Sequence, residues 1–135
     1  MLIKSLADTE RIAKTVFKSA LEQPKPFICY LEGDLGVGKT EFVRLGLKSL
    51  GYTGSVLSPT YTLFNEYTVG EVSIVHADFY RVKDPEELDY IGWDIALSKA
   101  SLVFIEWPEH ATLKPSKVIC LELKKDGTRR LKEID

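Results

Sequence analysis

Apolar residues near the start of the chain recur at helical spacing. Leu6, Ile12, Ala13, Val16, Phe17, Ala20 and Leu21 fall on one stripe, which predicts an amphipathic helix over residues 6–22. Ser5 stands before it as N-cap, with Asp8 beside the unpaired first-turn N–H groups in a variant of the capping box. Gln23-Pro24-Lys25-Pro26 ends the helix, and the pattern changes period. Pro26-Phe27-Ile28-Cys29-Tyr30-Leu31 is a nearly continuous apolar run, the form of a strand covered on both faces. Helical spacing returns in Glu41-Phe42-Val43-Arg44-Leu45-Gly46-Leu47, with Gly51 and Gly54 marking its end and a loop. Residues 61–68 and 72–78 read as strands joined at Gly70 in a hairpin. Asp84 as N-cap and Pro85 at the first position open a short acidic helix, followed by a helical piece over residues 93–99. Ser101-Leu102-Val103-Phe104-Ile105-Glu106 is a second buried strand. Residues 117–123 and 129–134, either side of the Asp126-Gly127 turn, are the last two. This order predicts one α/β domain over residues 1–135, with a mostly parallel central sheet and an antiparallel hairpin from 61 to 78. The strand before Gly33 and the strand ending at Glu106 are expected to be neighbours.

Composition changes this picture little. The chain has 135 residues, 44% hydrophobic and 28% charged, enough for a real core. A formal charge of −2 argues against a broad electrostatic grip on nucleic acid. A basic cluster of Lys124, Lys125, Arg129, Arg130 and Lys132 fits a solvated strand edge or a ligand contact equally well. Cys29 and Cys120 sit in apolar runs without metal-ligand spacing and read as small buried hydrophobes. No apolar run approaches a membrane span and the N-terminus has no signal-peptide form, so the expectation is a cytoplasmic protein without a membrane partner.

The chemistry concentrates in Gly33-Asp34-Leu35-Gly36-Val37-Gly38-Lys39-Thr40, which fits G-x-x-x-x-G-K-[ST] at every fixed position. Glycines let backbone N–H groups turn inward around phosphate oxygens; Lys39 adds a point charge, and the Thr40 hydroxyl suits Mg²⁺. A buried strand before the loop and a helix after it make this a P-loop NTPase-like domain that binds a nucleotide. Glu106 ends an apolar strand, as does the acidic residue beside such a loop that reaches the metal, although Asp is usual there; a solvated strand end is the bland alternative. Asp78 leaves another apolar strand and suits orienting a water or holding Mg²⁺. Arg81 answers phosphate charge or pairs with Asp78, and His76 reads as a satisfied structural histidine. In Ser58-Pro59-Thr60-Tyr61-Thr62-Leu63, Thr60 or Thr62 could reach the metal or the γ-phosphate, unless the segment is only a turn opening a strand.

Four motifs thus stand in order: GDLGVGKT (33–40), SPTYTL (58–63), HADFYR (76–81) and IEWPE (105–109). Together they resemble the bacterial TsaE (YjeE) family of P-loop ATPases over nearly the whole chain. The resemblance implies an ATPase subunit, slow alone and stimulated by partners, that assists TsaB and TsaD in threonylcarbamoylation of tRNA, with tRNA reached through that complex. It implies ATP or ADP with Mg²⁺ as ligands, residues Leu35, Gly36, Val37, Gly38, Lys39 and Thr40 around the phosphates, and Thr40 and Glu106 at the metal. By the same resemblance, Lys39, Asp78 and Glu106 are catalytic, Thr60 and Thr62 belong to a switch-like loop, and Thr9 with Arg129 or Arg130 lies on the adenine side. The chain departs from many members in its shorter C-terminal end and its longer first helix with the Pro-Lys-Pro connection. Two other readings remain: a small-molecule kinase, for which 135 residues leave little acceptor room, and a nucleotide-responsive binding module without significant hydrolysis.

Overall fold

In a computed structural model, residues 2–34, 36–111 and 113–134 are described. In chain order they form β1 (Leu2–Ile3), α1 (Leu6–Leu21), β2 (Phe27–Glu32), α2 (Lys39–Ser49), β3 (Phe64–Val69), β4 (Val72–Asp78), α3 (Trp93–Lys99), β5 (Leu102–Glu106), β6 (Lys117–Leu123) and β7 (Arg129–Ile134). Short 3₁₀ helices occupy Pro85–Ile91 and Pro108–His110.

The strands make one sheet ordered β1-β7-β6-β2-β5-β4-β3. Its centre, β6-β2-β5-β4, is parallel; β3 adds antiparallel to β4, β7 to β6, and β1 to β7. β5 is buried at every residue and β2 at four of its six, because helices cover both faces. Alternation along the strands divides the interior in two. Cys29, Leu31, Ile74 and Phe104 pack with α1 and α2, whereas Ile28, Val75, Val103 and Ile105 pack with Leu88, Trp93 and Ala96. This is a three-layer α/β domain, the class the sequence predicts, with the β2 and β5 neighbours expected of it.

The first layer is held by aromatic packing. The Phe17 ring stacks on Phe104 at 4.4 Å between centroids and lies 6.2 Å from Phe42, all three fully buried. Each such side chain contributes roughly 1.5–3 kcal/mol relative to exposure. A glycine lets α1 and α2 approach: a Cβ on Gly46 would sit 2.2 Å from the Phe17 ring. Ser5 caps α1 by accepting from Asp8 N at 3.3 Å, while Asp8 accepts from Lys4 N at 3.0 Å.

Four details differ from the sequence expectation. β1 was not foreseen, since two residues carry no period. β3 starts at Phe64 rather than residue 61, because Leu63 takes a left-handed φ of 69° and Thr62 bonds Asn65 at 2.9 Å, turning the chain before pairing begins. The acidic helix after Asp84 is 3₁₀, although its cap is as expected: Asp84 Oδ1 accepts from Glu86 N at 3.0 Å. Leu6, assigned to the apolar stripe of α1, is 57% exposed.

Candidate nucleotide site

The parallel strands β2, β5 and β4 end on one side of the sheet, and β2 passes there into the loop that starts α2. Backbone conformation makes this loop. Gly33 has φ 142°, and a Cβ there would stand 2.4 Å from the Leu121 carbonyl oxygen. Gly38, with φ 105°, is the N-cap of α2 and offers no side chain to the first helical N–H groups. Those donors and the positive end of the helix dipole are left for an anion.

Around that point the fold gathers the charged residues. Gly36, Gly38, Lys39, Thr40, Asp78 and Glu106 line one cavity of about 250 Å³, with Ser58, Thr60 and Trp107 also on its wall. Asp78 and Glu106 are register partners across β4 and β5, so two buried carboxylates stand side by side. Thr40 Oγ1 donates to Glu106 Oε2 at 2.9 Å. Thr60 Oγ1 donates to Asp78 Oδ2 at 3.1 Å and lies 2.7 Å from Ser58 Oγ, while Asp78 Oδ1 accepts from Tyr80 N at 2.9 Å. The loop 58–63 is therefore tied to the carboxylate by a hydroxyl.

Lys39 is held inside the site. Its ammonium donates to the Gly33 carbonyl and lies 3.9 Å from the centroid of the Trp107 ring. Burial pushes its pKa below the ordinary lysine value, outweighing the attraction of Glu106, Asp78, Glu109 and Asp34. Trp107 reaches this place by a left-handed φ of 55° directly after Glu106, and its ring also meets Tyr80 at 4.9 Å.

Oxygen donors from Thr40, Glu106 and Asp78 are the hard ligands that Mg²⁺ takes. Among the described residues no group of three or more His, Cys, Asp or Glu could hold a metal unaided.

A second, smaller cavity of about 180 Å³ adjoins the loop and is lined by Ser5, Thr9, Gly127 and Arg129 among others. The Arg129 guanidinium reaches Gly38, whose Cβ would meet Nη1 at 3.0 Å. Thr9 and Arg129 are thus brought together beside the phosphate loop. Arg130 is next along β7, opposite Leu2 and Glu122, with the alternate side-chain direction. Val37 is buried in the α1–α2 layer, and Leu35 lies outside the described residues. Thr62 is turned to Asn65 and does not line the Asp78 cavity. Arg81 does not pair with Asp78; its guanidinium lies 4.5 Å from the Tyr61 ring. A separate groove of about 620 Å³, lined by Arg44, Lys48 and residues 51–57, contains none of the residues of the loop 33–40.

Two features escaped the sequence reading. Trp107 shows only as an aromatic after a strand-end carboxylate, a weak signal. His76 was expected to be satisfied; its Nε2 meets Glu106 Oε2 at 2.5 Å, but Nδ1 is buried without a partner among the described residues.

Residues 3–132 match the family described as Threonylcarbamoyl adenosine biosynthesis protein TsaE. The chain belongs to the TsaE family. Its relatives include proteins named tRNA threonylcarbamoyladenosine biosynthesis protein TsaE. That of Haemophilus influenzae is 45% identical over 89 residues, 66% of this chain and 56% of the relative. That of Rickettsia bellii is 39% identical over 133 residues, 96% of this chain and 90% of the relative. This TsaE-family chain also superposes on the crystal structure of Bacillus subtilis YdiB with a TM-score of 0.70 and 26% identity, covering 97% of this chain and 80% of that one. Within the family, the match spans the loop, both strand-end carboxylates and Arg129.

Proposed function

We propose that the chain binds and hydrolyses ATP with Mg²⁺ at the loop 33–40, as the ATPase subunit of tRNA N6-threonylcarbamoyladenosine formation alongside TsaB and TsaD. One observation carries this reading: Lys39, Thr40, Asp78 and Glu106 converge on a single cavity at the uncapped start of α2. The names of the relatives support the pathway, although the match to the Haemophilus influenzae protein spans little more than half of its length.

In this reading the N–H groups at the start of α2 and the Lys39 ammonium bind the phosphates, Lys39 exchanging the Gly33 carbonyl for a phosphate oxygen. Thr40 and Glu106 would hold Mg²⁺, directly or through water, and the ion would neutralise charge on the β- and γ-phosphates. Asp78, with Thr60 moved from Oδ2, can accept a hydrogen bond from the attacking water and orient it. Little else is needed, because phosphoryl transfer depends on positioning and charge more than on covalent catalysis. Thr9 and Arg129 would take the base end in the adjoining cavity.

The test is reconstitution of tRNA modification and ATP turnover with the chain present, absent or carrying Lys39→Ala. Modification lost in both of the latter, with slow turnover that TsaB and TsaD raise, is the expected result. Phosphate delivered to an added small acceptor would make the protein a kinase. Repeated modification with a non-hydrolysable analogue would make it a binding module.

A further inference from the structure

His76 lies on the same face of β4 as Ile74 and Asp78, wholly buried, with Phe104 as its register partner on β5. Its register partner on β3 is Asn65, yet its Nδ1 has no hydrogen-bond partner among the described residues. An unpaired buried nitrogen works against folding, and an aliphatic side chain would avoid it. What the ring supplies instead is a contact to Glu106, two register positions further along the sheet and next on the same face. Nε2 lies 2.5 Å from Glu106 Oε2, the oxygen that also accepts from Thr40 Oγ1 at 2.9 Å. A carboxylate only accepts, so Nε2 carries the proton. Two donors from different directions hold the carboxylate plane by Oε2, and Oε1 accepts no hydrogen bond among the described residues.

We propose that His76 is a positioning residue that fixes the orientation of Glu106 toward the metal. This rests on the reading of Glu106 as the metal-site carboxylate. The arrangement is that of a ligand held by an outer partner: Thr40 is itself a candidate ligand and would leave Glu106 when it turns to a metal. His76 then remains as the donor that keeps the carboxylate from rotating. Reach distinguishes this role from mere filling of space. The register offset between His76 and Glu106 is spanned by the far nitrogen of the ring, and the near one, Nδ1, makes no such bond.

The test compares His76→Gln, whose amide nitrogen stands near the place of Nε2, with His76→Asn, whose amide stands near Nδ1. ADP affinity is measured by calorimetry in EDTA and in Mg²⁺, and the ratio gives the metal-dependent gain. His76→Asn should lose about tenfold of that gain, in line with other outer-sphere partners of metal ligands. His76→Gln should keep most of it, and affinity in EDTA should be unchanged in both. An equal gain in wild type and His76→Asn would overturn the proposal. So would equal losses in the two variants, or an affinity loss already present in EDTA. Glu106→Gln separates this from the parent reading. If it also keeps the full gain, Glu106 is not at the metal. If it loses the gain while His76→Asn does not, only the role of His76 falls. Melting temperatures without nucleotide within a few degrees of one another show that the comparison is between folded proteins.

Discussion

Lys39 is the residue on which burial and the proposed phosphate-binding role pull in opposite directions. Desolvation lowers its pKa, so the folded chain disfavours the charged ammonium that a phosphate would need. For a base with a depressed folded pKa, the penalty is present in full below that pKa and fades as pH rises toward about 10.5, the unfolded value. Without nucleotide, Lys39→Met is therefore expected to melt at a higher temperature than wild type near neutral pH. The gap should narrow as the pH approaches 10.5, which differential scanning calorimetry of the pair across pH will show. With Mg²⁺ and ADP the order of benefit reverses. Lys39→Ala should bind roughly 10- to 150-fold more weakly, the loss of a charge-assisted contact worth about 1.5–3 kcal/mol. Asp78→Asn and Glu106→Gln keep size while removing charge. Each is expected to leave the melting temperature within a few degrees and to cut single-turnover ATP hydrolysis at least about tenfold.

At the scale of elements, the contact between α1 and α2 governs where the phosphate loop sits, because α2 begins at Lys39. Gly46 is the point of closest approach, with the Phe17 ring where a Cβ would be. Phe17 cannot retreat, being stacked on Phe104 of β5. Gly46→Ala should destabilise the fold by about 1–3 kcal/mol despite the better helix propensity of alanine. Urea denaturation measures this, and a neutral or stabilising result would mean that the helices can part freely. This glycine was legible in the sequence only as one more small residue in a helical stripe. Its importance comes from a ring on another helix. The capping of α1 by Ser5 and the hairpin β3–β4 were legible, since both depend on residues close along the chain. The start of β3 was not: the Leu63 carbonyl accepts from Asp78 N at 2.8 Å in a left-handed turn that β-propensity does not register.

Across the whole molecule, the loop 58–63 and the segment after β4 meet at Asp78. Thr60 bonds its carboxylate, and Arg81 lies on the Tyr61 ring. Tyr61 and Tyr80 are 81% and 52% exposed, so this junction presents aromatic surface next to the cavity. A nucleotide that takes Asp78 or its water from Thr60 would release one end of the tie. If TsaB and TsaD dock here, as proposed, their affinity should then depend on the nucleotide, by as much as the difference in binding to the two loop states. Binding of TsaB and TsaD measured with ATP analogue, with ADP and without nucleotide is expected to differ by several-fold or more. Equal affinity in all three states would show that the loop is a rigid wall.

The local pattern of the chain was sufficient for the α/β class, the order of its elements apart from β1, and the glycine-rich loop before α2. Each depends on spacing within a short window: a 3.6-residue stripe, an apolar run, or glycines at fixed offsets before Lys39 and Thr40. Only the tertiary structure decided which carboxylates share the loop's cavity. Asp78 and Glu106 are 28 positions apart in sequence and become neighbours through the parallel pairing of β4 and β5. The same pairing turned His76 from an expected satisfied core residue into the partner of Glu106, and it brought Trp107 beneath Lys39. Periodicity reports which face of an element is buried. It carries no information on what that face meets, because register and backbone turns such as that at Trp107 are set by packing between distant segments.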